Sequence, residues 1–299
     1  MRRRARALTL CAIAAAVAVA AVAQDAEVEI RTVEVAPGVA MLVGQGGNIG
    51  VSTGADGVFL IDDQYAPQTP AILAAVRKLS DAPLRFVLNT HWHGDHTGGN
   101  ENLAGEGAMI VAHDNVRRRM GSDQFMAAFD RSVPASPPAA LPVVTFGADV
   151  TLHWNGDALH AIHVPNAHTD GDAIVHFEKA NVIHAGDVYF AGRYPFIDLG
   201  SGGSIDGIIA AVDRVLALAD DRTRIIPGHG ELSNRAELSR YRAMLATARE
   251  RVRAAIAAGR SLEELLAESP LADLDGAWGG GFVKPEAFLR TVHASLEGA

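Results

Sequence analysis

HWHGDHTGGN, residues 91–100, sets three histidines and one aspartate within six positions: His91, His93, Asp95 and His96. Such a group is either a solvated polar loop or a ligand set for one or two metal ions. The segment before it, LRFVLNT (84–90), is β-branched and aromatic and reads as a strand. The cluster therefore sits on a loop at a strand's C-terminal end, where a rigid sheet can hold side chains while loop backbone shapes a pocket.

Further out the pattern is of short strands and helices. Residues 27–62 read as strands with Gly-rich turns, ending in VFLI, and Thr69-Pro70 suits the start of a helix over 69–80. AMIVAH (108–113) is a strand and DNVRRRM begins a helix. PASPPAALP (134–142) has four prolines in nine residues and cannot be regular helix or central strand. It is an extended excursion, and the sequence leaves open whether it covers the site. ALHAIHVP is a strand, and DAIVHFEKANVIHAGD is a hairpin turning near Lys179-Ala180-Asn181. Residues 204–220 form an amphipathic helix and RIIPGHG is a strand. Helices follow at 235–259, 261–268 and 285–297.

Three more metal-capable residues recur at strand ends. His168 lies in VPNAHTDGD, Asp187 in VIHAGDVYF and His229 in IIPGHG. Five imidazoles and two carboxylates suit zinc, with iron or manganese also compatible. Two ions about 3.5–4 Å apart, bridged by a carboxylate, would use all seven. His91 and His93 can share one ion if the backbone there is extended, leaving Asp95 and His96 to turn toward a neighbour.

Composition bounds the rest. The chain has 299 residues, 48% hydrophobic and 20% charged, enough for a large core. The basic start MRRRAR, the apolar run that follows and the small-x-small Ala21-Val22-Ala23 give the expectation of a signal peptide over 1–23, cleaved after Ala23, and of a periplasmic mature protein. The only cysteine, Cys11, lies in that segment. A mature chain would have no disulfide, no thiolate ligand and no cysteine nucleophile. Without Arg2, Arg3, Arg4 and Arg6 it carries 22 basic against 35 acidic side chains, a net −13. That is a poor match for nucleic acid or anionic lipid. No other stretch is apolar enough for a membrane anchor. Residues 24–299 read as one domain with a helical C-terminal extension from about 233. The oligomeric state is not readable.

H-x-H-x-D-H after a strand, then HT, GD and GHG in order, resembles the metallo-β-lactamase superfamily over nearly all of residues 30–232. The resemblance implies an α/β fold, an αββα sandwich of two mixed β-sheets flanked by helices. It implies that His91, His93 and His168 bind a first zinc, that Asp95, His96 and His229 bind a second, and that Asp187 bridges. It also implies hydrolysis by a metal-bridging hydroxide, oriented by Asp95. No G-x-S-x-G occurs to suggest a serine nucleophile. An acid at 187 looks more like glyoxalase II, lactonases and the general hydrolase branch than like lactamases with a cysteine there. Lactamases of that kind also place a lysine three residues later, where this chain has Phe190, and Arg193 is the nearest base. The expectation is an exported dinuclear hydrolase that opens an amide or ester bond in a small-molecule substrate, with a β-lactam as the first reading. Thioester or lactone hydrolysis is the alternative, and an iron-dependent sulfur dioxygenase a more distant one.

Beyond the ligands, Trp92, Tyr189, Arg193 and Tyr194 are candidates to touch substrate, and 194–204 a candidate pocket wall. By the same resemblance, Asp62 and Asp63, after the VFLI strand, are candidates to orient imidazoles. Asp170 and Asp172 read as turn or capping groups, and Gly46-Gly47-Asn48 as a hairpin tip over the site. The other seven histidines read as structural, with His176 and His184 paired across the hairpin.

Overall fold

The computed structural model describes residues 29–298. The expected signal segment lies outside them. Among the described residues no helix is long and apolar enough to cross a membrane.

Two mixed sheets form the centre. The first has the order β1-β2-β3-β4-β5-β6-β9, from β1 (Arg31–Ala36), β2 (Val39–Val43), β3 (Ile49–Ser52), β4 (Val58–Ile61), β5 (Leu84–Leu88), β6 (Met109–His113) and β9 (Val144–Phe146). It is antiparallel from β1 to β4 and parallel from β4 to β9. The second runs β10 (Asp149–Trp154), β11 (Asp157–His163), β12 (Ala173–Phe177), β13 (Val182–Phe190), β14 (Arg224–His229) and β15 (Ser233–Asn234), with only β13 and β14 parallel. A separate hairpin of β7 (Gln124–Met126) and β8 (Arg131–Val133) interrupts the first half.

The sheets meet through Met41, Phe59 and Leu88 on one side and Leu159, Val175 and Phe177 on the other. Each fully buried side chain of this size contributes about 1.5–3 kcal/mol. Helices cover both outer faces. α1 (Thr69–Leu79) opens with a proline in its first turn and buries Ile72 and Val76 against Leu60 and Val87. α5 (Ile205–Leu218) is capped by Ser204, whose Oγ accepts from Gly207 N at 2.9 Å. α6 (Arg235–Ala257) is capped by Asn234. With α7 (Leu262–Glu268), α8 (Ala272–Trp278) and α9 (Pro285–Glu297), these helices bury Val212, Tyr241, Leu265 and Phe288 in one cluster with Ile183 and Ile225 of the second sheet. The αββα sandwich follows, and the C-terminal helices belong to its outer layer.

The sequence reading missed β7, β8, β9, β10, β15 and α8, and its histidine pairing is corrected. Val175 faces His184 across the hairpin, whereas His176 faces Ile183 on one side and His160 on the other. The turn occupies 178–181, with Asn181 at φ 55°, and this sets the register by one residue from a His–His match.

Candidate metal centre

The seven predicted ligands come together at one edge of the two sheets. β5 ends at Leu88, and Asn89 and Thr90 carry the chain to His91. His93 is extended (φ −65°, ψ 146°) and stands just before α2 (Gly94–Thr97), so His91 and His93 converge while Asp95 and His96 lie on the first helical turn. α3 (Asn100–Gly105) follows. From the other sheet come His168 after β11, Asp187 on β13 and His229 at the end of β14.

The distances define three overlapping groups, each with donor atoms within 4.8 Å: His91, His93 and His168; His91, His96 and Asp187; Asp95, His96 and His229. Asp187 lies between the first and third. Its Oδ1 is 3.1 Å from His96 Nε2, and its Oδ2 is 3.4 Å from His229 Nε2 and 3.5 Å from His168 Nε2. Asp95 Oδ2 is 3.3 Å from His229 Nε2.

The hydrogen bonds decide whether this set fits a metal. His93 donates from Nε2 to Asp198 Oδ2 at 3.0 Å, and His168 donates from Nδ1 to Phe196 O at 2.8 Å. Each remaining nitrogen, His93 Nδ1 and His168 Nε2, is then a bare lone pair, and these two face each other at 2.9 Å. His91 Nε2 points at the same spot, 3.1 Å from His93 Nδ1. His96 donates from Nδ1 to Asp62 Oδ2 at 2.8 Å. Its Nε2 and Asp187 Oδ1 are buried with no hydrogen-bond partner. Converging lone pairs and orphaned buried acceptors are costly unless a cation sits among them. The side chains present fit metal ions, with nitrogen and oxygen donors and no thiolate.

Electrostatics agree. Burial opposes ionisation of Asp95, but His96 and His229 outweigh it and hold the carboxyl at about 2. Asp187 is likewise kept well below the carboxylate range, against its burial, chiefly by His229 and His96. Burial brings His168 down to about 4. Burial also works against protonation of His229, yet Asp187 and Asp95 raise it to about 9. The ligand cage thus carries surplus negative charge and draws protons onto its outer imidazoles, the same field that attracts a cation.

The supports are tight. Asp62, at φ 64°, accepts from Thr90 N at 2.7 Å, Thr90 Oγ1 at 2.8 Å and His96 Nδ1. Asp63 touches no imidazole: it accepts from Gly99 N at 2.9 Å, fixing the turn after α2. Asp172 accepts from Thr169 N, and Asp170 pairs with Arg119. The Gly46-Gly47-Asn48 tip reaches the centre. A Cβ on Gly47 would lie 2.0 Å from the His96 ring, and one on Gly228 would lie 2.0 Å from Asp187 Oδ1. Asn48 stitches the sheets together, with its N and Nδ2 donating to the carbonyls of Gly228, Pro227 and Gly230.

A cavity of roughly 690 Å³ opens from the centre, lined on one side by Trp92, Asp95 and Met120 and on another by Phe190, Arg193 and Phe196. The proline-rich segment reaches it through Pro134 and Pro137, and the β7–β8 hairpin through Met126 and Arg131. Trp92 lines the cavity and is anchored by its Nε1 to Ser201 Oγ at 3.2 Å. Arg193 also lines it. Tyr189 and Tyr194 do not. Tyr189 is buried against Tyr241 and bonded to Ser233, and Tyr194 is buried against Phe288 and donates to Asp275. Strand alternation would put Tyr189 on the face of Asp187. Register shifts between Gly186 and Phe190 place Phe190 at the centre instead, stacked on His229 at 5.2 Å.

Sequence reasoning missed Asp198 as the partner of His93, although it lies in the 194–204 segment singled out as a wall. No spacing rule links it to His93, 105 positions away.

Residues 42–229 match the family model of the metallo-beta-lactamase superfamily, and the chain belongs to that superfamily. A hydroxyacylglutathione hydrolase of Polaromonas sp. is 30% identical over 151 residues, covering 50% of this chain and 49% of that protein. One of Nitrosococcus oceani is 32% identical over 150 residues, covering 50% and 49%. The chain therefore spans about half the length of the curated relatives it matches. Among solved structures, the sec-alkylsulfatase Pisa1 of Pseudomonas sp. aligns with TM-score 0.69 at 19% identity, over 88% of this chain and 50% of that one. A metallo-beta-lactamase from Pontibacter korlensis aligns with TM-score 0.59 at 18% identity, over 73% and 99%. At such identities these structures share the fold.

Proposed function

We propose that the protein is a dinuclear metal-dependent hydrolase, with zinc as its ions, that opens an amide or ester bond in a small molecule. The observation carrying this reading is the convergence of His93 Nδ1, His168 Nε2 and His91 Nε2 on one point, with Asp187 between them and the Asp95–His229 pair. Bound divalent ions supply Lewis acidity and lower the pKa of a water toward neutrality. The chain's own residues do the rest. Asp95, ionised and partly open to the cavity, orients the attacking water through its free oxygen. Asp62 and Asp198 fix the tautomers of His96 and His93, so that each offers a lone pair to the centre. Trp92 and Phe190 wall the cavity, and Arg193 stands ready for an acidic group on the substrate.

A β-lactam is the first substrate reading, supported by the expected export, since these compounds act outside the inner membrane. A thioester is the second, favoured by the bridging acid and by the relatives named as hydroxyacylglutathione hydrolases. Residues 1–23 would carry the chain to the periplasm, and N-terminal sequencing of periplasmic protein should begin at Gln24.

The test is metal analysis followed by a hydrolysis panel of a cephalosporin, a carbapenem, a homoserine lactone and a glutathione thioester. About two zinc per chain and turnover of at least one member are expected. One iron per chain with no hydrolysis would replace this reading by an iron-dependent sulfur dioxygenase.

A further inference from the structure

The two large sheets end in four edge strands, β1, β9, β10 and β15, and three of these are blunted. β15 is two residues long and β9 three. β1 carries Arg31 and Glu34 and has an irregular register between Glu34 and Ala36. Short length, charge and bulges keep an open strand from pairing with another chain. β10 has none of these devices. It runs six residues, DVTLHW, in unbroken antiparallel register with β11, without proline, lysine or arginine. Among the described residues nothing pairs with its other side.

The backbone of β10 offers a defined row of groups. His163 N donates to Ala148 O at 2.7 Å, so Ala148 faces β11. Alternation then turns Val150, Leu152 and Trp154 toward β11 as well. It points the N–H and C=O of Asp149, Thr151 and His153 toward the open side. The side chains are sorted the same way. Those of Val150, Leu152 and Trp154 pack half-buried on the core between the sheets, and those of Asp149, Thr151 and His153 are exposed on the outer face.

A second β10, antiparallel to the first about a two-fold axis through Thr151, fits backbone, core face and charge together. Thr151 then pairs with its own copy, and Asp149 with His153 in both directions. These are the residues whose N–H and C=O face outward, so each pair can exchange both of its bonds. Val150 falls beside Leu152 on the core face and covers apolar surface that the edge leaves half-open. On the outer face each carboxylate meets an imidazole. Asp149 Oδ2 accepts from His160 Nε2 at 2.9 Å, which leaves Oδ1 for the second copy's His153. An axis at Val150 or at Leu152 would lose both Asp149–His153 pairs.

We propose that two copies of the chain associate through β10, joining their second sheets into one continuous sheet across an axis at Thr151. Such an interface uses the same patch on both copies and closes at the dimer. The strip is narrower than a standard interface, so the dimer is a weak one, with Kd between about 1 µM and 1 mM. The pairing needs nothing from the metal centre and stands or falls apart from the hydrolase reading.

Sedimentation equilibrium of the full-length chain, with Cys11→Ser in every sample, covers that range of concentration. The parent should pass from monomer to dimer across it. Thr151→Pro removes the N–H on the axis without touching the ladder to β11, and should raise Kd about tenfold or more. Asp149→Lys, which sets a lysine against the second copy's His153, should do the same. Thr151→Cys tests the register. Residues paired in this way lie about 5.5 Å apart at Cα, within disulfide reach. Diamide should turn Thr151→Cys into a covalent dimer on non-reducing gels and leave Thr145→Cys, on the edge of the other sheet, monomeric. A parent that stays monomeric up to about 1 mM would overturn the proposal. So would a dimer whose Kd neither substitution changes, because the copies would then meet elsewhere. Association that continues past the dimer would do so too, since a two-fold edge pairing is closed. Melting by circular dichroism checks each fold. Should Thr151→Pro not fold, Asp149→Lys and the two cysteine variants decide the matter.

Discussion

Two pairs of histidine rings in close contact behave in opposite ways. His93 and His168 meet edge to face, 4.8 Å between centroids, with two bare nitrogens aimed at each other. His113 and His163 stack at 3.7 Å and 9°. Yet His113 donates to Gly147 O and accepts from Asn115 N, which caps α4 (Asp114–Met120), and His163 donates to Asp172 O. Burial, and then the neighbouring His163 ring, keep His113 below its ordinary value, in keeping with its neutral role as a cap acceptor. Crowding of imidazoles therefore does not mark a metal centre. The direction of their unshared electron pairs does.

That contrast can be broken or sharpened by experiment. The largest effect is expected at Asp95. Asp95→Asn should lower turnover by about 10²–10⁴-fold with melting temperature little changed, as for loss of a group acting on the reacting water. Near-parental activity would remove Asp95 from the chemistry. Next come the residues that aim the lone pairs. Asp198→Asn and Asp62→Asn should each weaken metal affinity about 10–100-fold, read by chelator competition. Proton competition is smaller and graded. A metal must displace the proton that His229 holds up to about 9, so affinity should rise with pH and fall about tenfold per unit below that value for one displaced proton. A flat profile between pH 6 and 9 would show that no such proton is lost. The smallest effect on the centre is expected from the stacked pair. His113→Ala should cost about 1–3 kcal/mol in urea unfolding, through the lost cap and a buried void, with metal content unchanged.

How much of this could be read from the chain follows the same physical line. The ligands were legible because each follows an apolar strand run closely in the chain, so motif and context coincide at His91, His168, Asp187 and His229, although Asp187 and His229 stand on β13 and β14 themselves rather than on loops beyond them. Helix starts at Thr69, Ser204 and Asn234 are local events of capping and proline. Asp198 was not legible, because tertiary convergence alone brings it to His93. α8 was hidden by Gly276 within a stretch of only seven residues. Tyr189 misled because it stands two residues from Asp187 in the chain, and that nearness does not carry it into the cavity: its ring packs on Tyr241 and its hydroxyl bonds Ser233.

Asn48, threaded between two strands of the opposite sheet, has a consequence for assembly. Each half of the chain contributes only some of the ligands, so the complete set exists only where the two halves dock, at the seam this crosspiece closes. Stripping the ions from finished protein should loosen the seam before the helices, and amide exchange should report it first at residues 47–48 and 228–230.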